Sequence, residues 1–110
     1  MGEKCESCIW FLVKAVQESA ETYKDAIRRE ASGIPFLDDL KTGLKIIKKD
    51  VKILEKNGCI DPVDATMIKE EINKAVKSNN PKEIEDAAYF IREKLMWDVS
   101  KTTADACQRE

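Results

Sequence analysis

The sequence predicts an all-α fold, an up-down-up-down antiparallel four-helix bundle that occupies residues 1–110 as one domain. Three observations carry this. Apolar residues recur at spacings of three and four along the whole 110-residue chain. The rhythm breaks at three short stretches bearing Gly, Asn and Pro, and connections this short make consecutive helices antiparallel neighbours. No alternating strand pattern competes, and with only 4 Gly and 3 Pro the chain reads as neither turn-rich β nor disordered.

In the first segment Ile9, Leu12, Val16, Ala20, Tyr23 and Ile27 form the stripe. It stops at "ASGIP", where Gly33 suits the left-handed position that closes a helix and Pro35 cannot continue one. The second segment is the cleanest: Leu37, Leu40, Leu44, Ile47, Val51 and Leu54 alternate spacings of three and four without a break. Asn57-Gly58 supplies its stop. Asp61 then caps a third helix, with Pro62 in its first position and Ile68, Ile72 and Val76 as its stripe. "SNNPKE" is the last break, with Asn80 as cap, Pro81 at the first helical position and Glu83 in the first turn. The fourth stripe, Ile84, Ala88, Ile91 and Leu95, fades through "VSKTTADAC". The first and fourth helices should run about 25 residues, roughly 37 Å at the standard rise. The second is shorter and the third is shortest.

This topology bears on the four cysteines. The start of the first helix, the loop between the second and third, and the end of the fourth all lie at one end of the bundle. Those places hold Cys5 and Cys8, Cys59, and Cys107. The preferred reading is a pair of structural disulfides pinning both ends of the chain. Three others stand beside it: buried free thiols acting as small apolar residues, a four-thiolate zinc or iron–sulfur site, and a dithiol favoured by a helix N-terminus. The metal reading lacks a second C-x-x-C knuckle, and the redox reading lacks the expected βαβ context. If the cysteines are bridged, helix lengths choose the pairing. The first and fourth helices are similarly long, so Cys5 and Cys107 come to one level. The shorter second helix leaves Cys59 higher, near Cys8. A disulfide needs Cα atoms within about 7 Å, which favours Cys5–Cys107 with Cys8–Cys59.

Several chemistries are missing from the chain. Without histidine a Glu-x-x-His di-iron bundle site cannot be built. The C-x-x-C is followed by Ile9, not the histidine of haem attachment. There is no Gly-rich phosphate loop and no nucleophile with an imidazole base. The expectation is a non-enzymatic protein with no cofactor.

A formal charge of -2 and a pI near 5.3 give no general attraction to nucleic acid. One local exception is a band on the second helix, Lys41, Lys45, Lys48, Lys49, Lys52 and Lys56. With no interleaved aromatics it reads as a solvated face offset by Glu18, Glu21 and Asp25; the weaker alternative is an RNA-contacting stripe. The opening run "CIWFLV" is too short for a signal h-region, and no stretch approaches a membrane span, so the expected location is the cytoplasm. Abundant Lys and Glu with little Gln is a balance common in thermophile proteins.

Finally, Trp10, Phe11, Ile46, Ile53, Phe90 and Trp97 point away from the core stripes. Either the core is wider than the stripes imply, or these residues form a subunit interface. The favoured function is a homodimeric bundle serving assembly or partner binding, stabilised by its cysteines. A metal-binding or thiol-redox protein using Cys5, Cys8, Cys59 and Cys107 is the alternative.

Overall fold

The computed structural model describes residues 3–32 and 37–109. Four helices account for nearly all of them, and no strand occurs among the described residues. They are α1 (Glu3–Ser32), α2 (Leu37–Lys56), α3 (Pro62–Ser78) and α4, which runs through Pro81–Lys94, a π-helical turn Leu95–Val99 and Ser100–Arg109. The helix stop assigned to Gly33 and Pro35 lies outside the described residues. α1 and α3 each lie beside both α2 and α4, and α2 meets α4 across the middle. The bundle measures 48 × 20 × 19 Å, so its length is that of α1, roughly 45 Å by the standard rise.

The local signals act as their chemistry dictates. Gly58 takes a φ of 71°, and Cys59 N–H closes back on the Leu54 carbonyl at 2.9 Å, ending α2. Asp61 Oδ1 accepts from Val63 N–H at 2.8 Å with Pro62 in the first turn of α3. α3 ends on Asn79 at φ 54°, and Asn80 Oδ1 accepts from Lys82 N–H at 2.9 Å to open α4. Each cap satisfies a backbone group that a helix terminus otherwise leaves open.

The core is apolar and continuous. Leu40, Leu44, Ile47, Val51 and Leu54 of α2 are buried against Ile68 and Ile72 of α3 and Ile84, Ala88, Ile91 and Leu95 of α4, with Leu37 and Val76 half-buried at its margin. α1 departs from its expected stripe. Its inward line is Cys5, Cys8, Leu12, Ala15, Ser19, Thr22 and Ala26, while Ile9 and Ile27 are exposed. The cause is a close approach to α2. A Cβ on Gly43 would lie 2.6 Å from Thr22 Oγ1, so only small residues fit where these two helices meet. Ser19 and Thr22 are tolerated because their hydroxyls donate to the Val16 and Glu18 carbonyls of their own helix, each at 2.9 Å.

α4 also runs further than its apolar stripe suggested. Leu95, Val99, Thr103 and Cys107 are all buried at a constant spacing of four. An α-helix would carry such a series off the core face, because four residues overshoot a 3.6-residue turn. The wider π turn absorbs the excess and keeps the C-terminal third facing inward.

Candidate functional site

The cysteine end is the most constrained part of the molecule. Cys5 is joined to Cys107 with Cα atoms 5.2 Å apart, and Cys8 to Cys59 at 5.6 Å. This is the pairing the helix lengths favoured, and the distances lie in the ordinary range for a bridge. Next to it Thr103 Oγ1 donates to the Cys59 carbonyl at 2.9 Å in a buried contact between α4 and the α2–α3 loop. Among the described residues no three His, Cys, Asp or Glu side chains converge as a metal's ligands would, and no cysteine is unpaired.

The off-stripe apolar residues divide into two groups. Phe11 and Phe90 are half-buried and pack on the core, which is wider there than the stripes imply, and Ile53 is half-buried. Trp97, Trp10 and Ile46 are exposed, at 68%, 58% and 43%. Sequence reasoning missed their companions Ile9, Val13, Val63, Met67 and Met96, which are exposed as well. For the two on α1 the missing signal was the close α1–α2 approach, beside which Ala15, Ser19 and Ala26 face inward and Ile9 and Val13 outward. Two contacts set the α1–α4 register: the Cys5–Cys107 bridge, and the Tyr23 and Tyr89 rings 5.4 Å apart. Equal numbers of residues separate the two contacts on either helix, so Met96 and Trp97 come about level with Val16 and Ala15. Most of the exposed apolar side chains therefore lie in the half of the bundle that carries the disulfides. The π turn itself presents Met96 and Trp97, with the Trp97 indole N–H donating to Glu93 Oε2 at 3.2 Å. Lys94, one residue before that turn, reaches Asp98 at 2.6 Å and Asp64 of α3 at 3.3 Å. The Asp98 hydrogen bond chiefly, with Asp64, outweighs burial and holds its ammonium above the usual lysine range.

The lysine band faces α3 at two points. Lys48 Nζ donates to Asn73 Oδ1 at 2.7 Å, and Lys41 Nζ donates to Asn79 Oδ1. Lys45, Lys49, Lys52 and Lys56 are exposed. Glu18, which the sequence reading set against this band, instead meets Lys14 of its own helix.

That contact belongs to a small charged cluster in the α1–α2 seam. Lys14 Nζ lies 3.8 Å from Glu18 Oε1 and 3.9 Å from Asp50 Oδ1. The same ammonium stands 5.2 Å from the centre of the Trp10 ring, within cation–π range. Asp50 is only 2% exposed.

No family model, curated protein or solved structure matches this chain. Among the described residues no helix is long and apolar enough to cross a membrane.

Proposed function

We propose that this chain is a non-enzymatic assembly module, one domain that pairs with a second copy of itself through the apolar surface of its disulfide-bearing half. The single observation behind this reading is the inverted distribution on α1. Beyond Leu12 its inward line is Ala15, Ser19, Thr22 and Ala26, while Ile9, Trp10 and Val13 turn outward in the same half of the bundle as the exposed Met96 and Trp97 of α4. Large exposed patches of this kind mark interaction sites, and tryptophan is a favoured anchor in them. Two bridges fix the backbone beneath the patch, so little ordering entropy opposes association. The reading places the protein in the cytoplasm of an organism living hot, the setting in which intracellular disulfides persist.

Sedimentation equilibrium tests it. The wild-type chain should sediment as a dimer, and Trp97→Glu should shift it toward monomer by placing an unpaired charge in the contact. Lys49→Glu, on the solvated band, should leave the mass unchanged. A wild-type monomer at every accessible concentration would overturn the reading.

A further inference from the structure

The α1–α2 seam contains two carboxyl groups and one cation. Glu18 Oε2 and Asp50 Oδ2 are both buried, and neither has a hydrogen-bond donor among the described groups. The two carboxyl groups converge on one ammonium, Lys14 Nζ lying 3.8 Å from Glu18 Oε1 and 3.9 Å from Asp50 Oδ1. Two ionised carboxylates can only accept, so their approach leaves both oxygens unsatisfied and sets like charges together. A single proton between them removes both faults at once. It also balances the charge, because Lys14 neutralises one carboxylate and no more. The charged groups acting at Glu18 are Lys14 and Glu21 from α1 and Asp50 from α2. Glu21 adds further negative charge.

We propose that Glu18 and Asp50 hold one proton between them at mildly acid to neutral pH, and that its loss loosens the α1–α2 seam, making the bundle proton-sensitive. Glu18 is the group that titrates. Burial chiefly, then the hydrogen bond and the charge of Asp50, lift its carboxyl from an ordinary 4.5 to about 7, against the opposing pull of Lys14. The direction of the linkage follows. Below about 4.5 the carboxyl is protonated in both the folded and the unfolded chain, and pH has no effect through it. Between about 4.5 and 7 the folded chain keeps a proton that the unfolded chain releases, so stability falls as pH rises. Above about 7 the loss is complete. The titrating side chain lies one turn from the closest helix contact, where Thr22, donating its hydroxyl to the Glu18 backbone carbonyl, packs on Gly43.

The chain offers a clean background for this. It has no histidine and, among the described residues, no free thiol, so the usual side chains that titrate between pH 5 and 8 are missing. Urea unfolding followed from pH 5 to pH 8 is the test. The wild-type unfolding constant should rise by up to about tenfold per pH unit between about 5 and 7. Glu18→Gln keeps the shape, supplies a donor to Asp50 and should abolish that rise. In parallel, 13C-carboxyl resonances of the folded wild-type chain should show Glu18 titrating with a midpoint near 7. A flat wild-type profile, a slope surviving in Glu18→Gln, or a Glu18 midpoint in the ordinary carboxylate range would each overturn the proposal.

Discussion

Gly43→Ala sets two well-sized effects against each other. A glycine inside a helix costs about 0.5–1 kcal/mol relative to alanine, so the exchange alone should stabilise α2. The structure opposes this. The new Cβ would stand 2.6 Å from Thr22 Oγ1 and 3.3 Å from its Cγ2, both closer than ordinary contact. Thr22 is buried and β-branched, and its hydroxyl is committed to the Glu18 carbonyl, so rotating it away breaks that bond. Overpacking of this kind costs about 1–3 kcal/mol. The net expectation is a loss of about 1–2 kcal/mol. In a Thr22→Ala background the two closest atoms are gone, and the remaining Cβ, at 3.5 Å, is an ordinary neighbour. There the same substitution should stabilise by about 0.5–1 kcal/mol. The sign reversal, a coupling of about 2 kcal/mol, stands well above the few tenths expected of independent sites. Urea unfolding of the four proteins by circular dichroism at one pH measures it, with stability read from the midpoint at constant slope. If Gly43→Ala changes stability equally in both backgrounds, the helices do not approach as described, and the account of why α1 faces inward with small residues fails with it.

The other expectations are simpler. Leu44 is fully buried in the middle of α2, so Leu44→Ala should cost about 2–5 kcal/mol, whereas Lys49→Ala on the exposed band should change unfolding by less than about 0.5 kcal/mol; equal losses would mean the wrong face was assigned. Peptide mapping without reductant should recover Cys5 linked to Cys107 and Cys8 linked to Cys59, and a peptide linking Cys5 to Cys8 would contradict the helix order. The bridges span 51 and 102 residues, for which the chain-entropy relation gives about 4 and about 5 kcal/mol, so reduction should lower the urea midpoint markedly.

The parts of this fold that follow from apolar rhythm and punctuation were legible in the sequence. The α2 stripe from Leu37 to Leu54, the Asp61-Pro62 and Asn80-Pro81 starts and the Gly58 stop need no knowledge of neighbouring helices. The disulfide pairing was legible for the same reason, since helix lengths alone bring Cys5 level with Cys107. What escaped depends on distances between helices. Ile9 and Ile27 share the periodicity of a core stripe, and only the approach of α2 at Gly43 decides that Ala15, Ser19 and Ala26 face inward instead. The burial of Val99 and Thr103 escaped because their spacing of four fits the core only after a π turn. Asp50 reads as a surface charge, although it stands three residues after Ile47 and one before Val51, on the edge of the buried face. Its place in the candidate site became visible only once Lys14 and Glu18 were found across the seam.

The Cys5–Cys107 bridge has a mechanical consequence. It joins the two strands of chain where they enter and leave the bundle, 102 residues apart in sequence and 5.2 Å apart between Cα atoms. Tension applied to the chain on either side of this point passes through the covalent bond and bypasses the four helices. The Cys8–Cys59 bridge lies inside that loop and ties α1 to the end of α2 at the same pole. Pulled by its ends, the oxidised bundle should behave as an inextensible link that keeps its fold under load. Reduction would turn the same chain into a spring whose give is set by the unpeeling of α1 and α4.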